Sequence, residues 1–195
     1  MCILAISDVH SRSLWDYYDR SKLRDVDLII SCGDLDSDYL QFLVTMTNVP
    51  LLYVHGNHDQ HYAHRAPEGC INIEDRVYTH QGIRILGLGG SVKYKDGPHQ
   101  YSQTQMIFRM YSCMAKIAFH GGIDILVTHA PAVGINEGDS HVHAGFRAFN
   151  VLLNKYKPKY FLHGHVHLDG YSLDRVSQWG DTMVINAFES YQFDY

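Results

Sequence analysis

The chain has 195 residues, 46 % of them hydrophobic and 19 % charged, which excludes a disordered polymer and allows one domain, residues 1–195, with a full-sized core. The formal net charge of −5 argues against an extended nucleic-acid surface, which needs a basic face. No apolar run approaches the roughly 20 residues of a membrane span, so no membrane partner is expected. The four cysteines, Cys2, Cys32, Cys70 and Cys113, form no CxxC pair, and the N-terminus lacks the basic region of a signal peptide. The expected setting is the reducing cytoplasm.

In chain order, Cys2–Ser7, Asp27–Ser31 and Leu51–His55 read as buried strands: short, apolar and bounded by polar clusters. Between them Ser13–Lys22 and Ser37–Thr47 read as helices, Ser13 and Asp16 having the spacing of a capping box. Strand, helix, strand, helix, strand predicts a parallel sheet. Arg84–Gly87, Ile123–Thr128 and Tyr160–His163 follow as strands. Thr104–Phe119 is a helix with Met106, Met110, Cys113, Met114 and Ile117 on one face, and Gly145–Tyr156 is another, ended by Lys157-Pro158. Tyr171–Val176 and Thr182–Asn186 alternate polar and apolar residues and predict antiparallel strands closing the domain.

Polar clusters stand where five of these strands end. Asp8-Val9-His10 follows the first, Gly33-Asp34 the second and Gly56-Asn57-His58-Asp59 the third. Thr128-His129 ends a later strand, and Gly164-His165-Val166-His167 follows the next. Ligands of α/β sheets bind beyond the carboxyl ends of strands, so residues far apart in sequence converge there. Asp and His suit manganese, zinc, iron or magnesium. The glycines at 33, 56 and 164 permit sharp turns and close backbone approach. Singly, each cluster also reads as a turn or a solvated histidine. Five in this order, each at a strand end, do not.

The ordered set Asp8-x-His10, Gly33-Asp34, Gly56-Asn57-His58-Asp59, His129 and Gly164-His165-x-His167 resembles the calcineurin-like metallophosphoesterase superfamily. The resemblance implies an α/β fold in which two mixed β-sheets pack face to face with helices on both outer faces. It also implies two divalent metal ions (Mn, Fe, Zn or Mg, with Mn the ion expected in vitro). Asp8, His10 and His167 are then ligands of one ion and Asn57, His129 and His165 of the other, with Asp34 bridging both. His58 is the catalytic histidine outside the metal shell, and Asp59 orients it. The implied reaction is hydrolysis of a small phosphate ester, a phosphodiester first and phosphomonoesters also, by attack of a metal-bridging hydroxide. The same fold also occurs in protein-binding scaffolds without catalysis, usually with degraded metal motifs, whereas every motif is intact in this sequence.

The chain departs from some relatives. Ser37 stands where purple acid phosphatases carry a tyrosine ligand, and Gly33-Asp34-Leu35-Asp36-Ser37 lacks the acidic-Arg-Gly extension of serine/threonine protein phosphatases. No cap segment is evident, which favours small or exposed diesters. The segment 134–143 leaves the strand that ends in His129, so Asp139, His141 and His143 are candidates for the rim around the substrate, or else form a solvated connector. His61 and His64 read mainly as solvated. His55 either packs beneath the site or bonds a ligand. Oligomeric state and the substrate's identity are not readable from these features.

Overall fold

Short apolar runs become strands in this chain because each is flanked by residues that turn. The computed structural model describes residues 1–138, 140–168 and 174–195. In chain order the strands are β1 (Cys2–Ser7), β2 (Leu28–Ser31), β3 (Leu51–Tyr53), β4 (Ile71–Asn72), β5 (Arg76–His80), β6 (Ile83–Leu88), β7 (Ser91–Val92), β8 (Gln100–Tyr101), β9 (Ile125–Thr128), β10 (Tyr160–His163), β11 (Val176–Trp179), β12 (Thr182–Asn186) and β13 (Glu189–Asp194). The α-helices are α1 (Ser37–Thr47), α2 (Gln103–Phe119) and α3 (Arg147–Tyr156).

One mixed sheet runs β13-β1-β2-β3-β4 and a second runs β11-β12-β10-β9-β6-β5; β7 and β8 form a separate parallel pair. Strands β1 to β4 are parallel, as are β6, β9, β10 and β12, while β13 lies antiparallel to β1. Alternation along β1 shows how the layers arise. Ile3 and Ala5 face inward with Leu28, Ile30 and Leu52, meeting Ile85, Ile125, Val127 and Leu162 of the other sheet. Leu4 and Ile6 face outward onto Tyr39, Leu40 and Leu43 of α1. On the opposite outer face, Met106, Met110, Cys113 and Ile117 of α2 and Phe149, Leu152 and Leu153 of α3 cover Leu86, Leu126 and Phe161. Burying side chains of this size contributes roughly 1.5–3 kcal/mol each. The result is the expected sandwich of two mixed sheets with helices on both outer faces.

The element expectations hold within a residue or two at most boundaries, with two corrections. Ser13–Lys22 is not a helix: it is a run of turns followed by a 3₁₀ turn at Arg20–Leu23. Asp19 Oδ1 accepts from both the amide and the hydroxyl of Ser21 (2.9 and 2.7 Å), so a local side-chain bond competes with helix propagation. The helix-starting capping box in this chain is Ser102 with Gln105, at α2. Of the strand expected at Tyr171–Val176, Tyr171–Leu173 lie outside the described residues, Asp174 and Arg175 are not in a strand, and Val176 begins β11, Val176–Trp179. β12 is antiparallel to β11, as expected, and also parallel to β10. Among the described residues no helix is long and apolar enough to cross a membrane.

Candidate metal centre

The carboxyl ends of the parallel strands meet at one edge of the sandwich, and hydrogen bonds join the two sheets there. Within the first sheet the Asp8 amide donates to Gly33 O (3.2 Å), and within the second the Gly164 amide donates to His129 O (2.9 Å). His129 Nδ1 donates across the sandwich to Cys32 O at 2.8 Å. The His165 amide donates to both carboxylate oxygens of Asp8, at 3.1 and 2.9 Å.

Close approach of these loops requires glycine. A Cβ on Gly56 would strike the carboxylate of Asp34, and its own backbone packs against Gly33, whose φ is +96°. A Cβ on Gly164 would strike Ser7 Oγ and come within 2.6 Å of Asp8 Oδ2. Asp8, Asp34 and His165 themselves adopt φ of 67°, 58° and 68°. Non-glycine residues seldom enter this region, and when they do it is commonly at a functional site.

Two histidine rings are tied by one nitrogen each, which frees the other. With Nδ1 on Cys32 O, His129 presents Nε2 at 3.0 Å from Asn57 Oδ1 and 3.3 Å from Asp34 Oδ2. His165 donates Nε2 to Val142 O at 2.8 Å, which leaves Nδ1 as its free ligand atom. Backbone bonds of this kind fix tautomer and ring direction in metal sites. One ligand atom each from Asp34, His129 and His165 lies within 4.8 Å of the others. Carboxylate, amide oxygen and imidazole are the donor set of a borderline divalent ion, so the residues fit such a metal.

Charge is balanced toward a cation. Burial raises the Asp8 carboxyl. Burial would also raise Asp34, but His129 and the His58 amide, which donates to Asp34 Oδ1 at 2.7 Å, hold it well below the carboxylate range. Burial would lower His129, but the Asp34 and Asp8 carboxylates outweigh it and raise the imidazole to about 9. Burial, with His129 beside it, lowers His165 to about 3. The proton on His129 occupies a place between two oxygens that suits a metal ion.

Asp8, Asp34, Asn57, His58, His165 and His167 line a single cavity, together with Tyr94, Val142 and His143. An adjoining cavity shares Asp8, Asp34 and His58 and adds His10, Asp59 and His61. His10 Nε2 faces Asp36 Oδ2 at 3.4 Å, and its ring lies 4.5 Å from that of Tyr39. His167 packs 4.7 Å from the Phe188 ring. Asp59 is fully buried, and its Oδ2 accepts from the amides of Asp34 (2.9 Å) and Gly56 (2.7 Å). It clamps the loop of Asp34 to that of Gly56. Its other oxygen has no hydrogen-bond partner among the described residues. Burial, with Asp34 close by, raises this carboxyl to about 6. Of the rim candidates, His143 reaches the cavity, His141 lines a neighbouring groove, and Asp139 lies outside the described residues.

Two residues of the site carry no motif. Tyr94 accepts from Asn57 Nδ2 at 3.2 Å. Glu74 sits behind His55, accepting from the His55 amide (3.0 Å), the Gly89 amide (2.8 Å) and Arg109, with His55 Nδ1 at 3.2 Å. The signal for Tyr94 was the Gly89-Gly90 pair after β6, a strand parallel to β9 whose end therefore opens on the same edge.

Asp, Asn and His side chains gathered at the strand ends of an αββα sandwich define a metal-dependent phosphoesterase architecture. The family model for calcineurin-like phosphoesterase matches residues 1–169, and the chain belongs to that family. TT1561 of Thermus thermophilus is similar in fold, with TM-score 0.67 and 14 % identity over 96 % of this chain and 89 % of that one. Vps29 complexed with zinc, from Entamoeba histolytica, matches with TM-score 0.42 and 11 % identity over 96 % and 74 % of the two chains. No curated protein sequence shows significant similarity to this one.

Proposed function

We propose that this chain, acting as one domain over residues 1–195, hydrolyses a small phosphodiester, with phosphomonoesters as a second substrate class. The observation that carries the reading is the convergence of Asp34, His129 and His165, both imidazoles being held by backbone carbonyls with one nitrogen turned to the centre. Asp8, His10 and His167 would hold one divalent ion, Asn57, His129 and His165 a second, and Asp34 both. Such a pair supplies positive charge for a phosphoryl group and lowers the pKa of water toward ~7. Manganese is the ion to try first.

The chain's own groups do the rest. His58 is exposed, borders both cavities and is anchored by its amide to Asp34, so its ring can give a proton to the departing ester oxygen. Asp59 keeps the loops of Asp34 and Gly56 at fixed separation, which holds the ligands in register. His141 and His143 border the space beyond the phosphate. The four unpaired cysteines suit a cytoplasmic setting.

The test is hydrolysis of bis(p-nitrophenyl) phosphate and p-nitrophenyl phosphate, with manganese added and removed, by the parent and by His58→Ala. Metal-dependent turnover that falls with the variant supports the reading. Full metal binding with no hydrolysis of either ester would leave a protein-binding scaffold in its place.

A further inference from the structure

The cavity over the candidate ligands shares Tyr94 with a second space. That space is a groove of about 580 Å³ bounded by Val92, Tyr94, Lys95, Gln103 and His141. Tyr94 belongs to both spaces: its hydroxyl bonds Asn57, and its half-buried ring walls the groove. The loop that carries it is fixed, since Gln100 Oε1 accepts from the amides of Tyr94 (3.4 Å) and Lys95 (3.2 Å).

Gln103, Ser102 and Lys93 along the groove are already engaged. Gln103 donates Nε2 to Gly145 O (2.8 Å) and accepts from the Arg147 amide (3.0 Å). Ser102 accepts from the Gln105 amide at 3.2 Å. Lys93 pairs with Asp96 at 2.7 Å. A sugar hydroxyl would compete with these bonds, and a second phosphate would find Lys93 paired and Lys95 alone to meet it. What faces a ligand is the Tyr94 ring, aliphatic stems and Lys95, whose Nζ lies 5.4 Å from the ring centroid. A flat π-system suits such a wall, because it stacks on an aromatic ring and is attracted to a nearby cation.

We infer that this groove takes a planar aromatic substituent of the substrate, an aryl group or a nucleobase, stacked on Tyr94 while the phosphate lies at the ligands. The inference rests on the phosphoesterase reading for the position of the phosphate.

The experiment has a binding arm and a hydrolysis arm. Calorimetry on manganese-loaded protein compares thymidine 5′-monophosphate with inorganic phosphate. The nucleotide should bind about ten-fold tighter, the order that stacking one base on an aromatic side chain provides. Tyr94→Phe, which removes only the hydroxyl, should keep this preference, and Tyr94→Leu should abolish it. His141→Trp, which fills the groove from another of its lining positions, should abolish it as well, and serves if Tyr94→Leu fails to fold. The hydrolysis arm compares the methyl ester of thymidine 5′-monophosphate with dimethyl phosphate, which share a methoxide leaving group and differ in the aromatic substituent. The expected kcat/KM again favours the nucleotide by about ten-fold and loses that advantage in Tyr94→Leu. Equal binding of nucleotide and phosphate, or a preference untouched by both groove variants, overturns the inference. Nucleotide preference without hydrolysis of either ester supports the groove and overturns the phosphodiesterase reading instead.

Discussion

His129 Nε2 stands 3.3 Å from Asp34 Oδ2, in a buried place where the imidazole's other nitrogen is already committed to the Cys32 carbonyl. The two groups share a proton or share a cation, and the choice between them is measurable. With the imidazole raised to about 9, metal-free protein carries that proton at neutral pH. A divalent ion must displace it, so metal affinity should rise with pH and level off above about 9. Calorimetry of manganese binding near pH 7.5 in buffers of different ionisation heat should report the release of about one proton. Heats that do not depend on the buffer would contradict this.

Asp34→Asn removes the one carboxylate proposed to be shared. Both ions should be lost together, because two cations then face each other without an anion between them. Metal analysis after gel filtration should find well under one ion per chain, against two in the parent. A variant that keeps both ions would show that Asp34 does not bridge.

For His58→Ala, metal content should stay at the parent level while turnover falls by about 100-fold or more on esters with poor leaving groups. The loss should shrink for good leaving groups, which need less protonation. Equal losses across the series would leave His58 a role in electrostatic stabilisation alone.

Acid stability should depend on Glu74. Burial would raise its carboxyl, but the His55 hydrogen bond and Arg109 hold it down at about 2, against an ordinary 4.5. A depressed carboxylate stabilises the fold above its unfolded value, and the contribution fades as pH falls from about 4.5 toward 2. Glu74→Gln leaves Arg109 with Asp75 as its remaining carboxylate partner and should cost about 1.5–3 kcal/mol at pH 7, the worth of a hydrogen bond to a charged group. The gap between parent and variant in urea midpoints should narrow through that acid window. A gap that stays constant down to pH 2 would show that the charge of Glu74 contributes nothing.

The convergence of the candidate site was legible because Asp, Asn and His at the ends of apolar strands have few structural reasons to be there. Helices α1 to α3 were legible from one-sided apolar spacing. Less was visible where side chains compete with the backbone: Asp19, by bonding Ser21, turned an apparent helix into turns. Strands β5 and β13 were not legible because neither presents a buried apolar run; each mixes polar and apolar residues that are exposed or only half-buried. Glu74 has no local signature, since its bonds reach His55, Gly89 and Arg109, partners that only the sheet topology brings near. Tyr94 was overlooked because tyrosine is not one of the ligand types that mark the other strand ends.

Every residue proposed to hold metal is translated by His167, yet the strand that delivers Asp8 has its outer neighbour, β13, at 189–194. Phe188, against the His167 ring, comes just before it. During synthesis β1 therefore leaves the ribosome long before the strand that covers its open edge. The order of assembly is the reverse of the order of chemistry: the ligands are made first, and a stretch with no ligand in it completes their support. A nascent chain stalled after residue 167 would hold the full set of ligands while leaving one border of β1 exposed to pairing with other chains. Selection on residues 189–194 would then fall on folding yield and leave the catalytic rate of each folded molecule untouched.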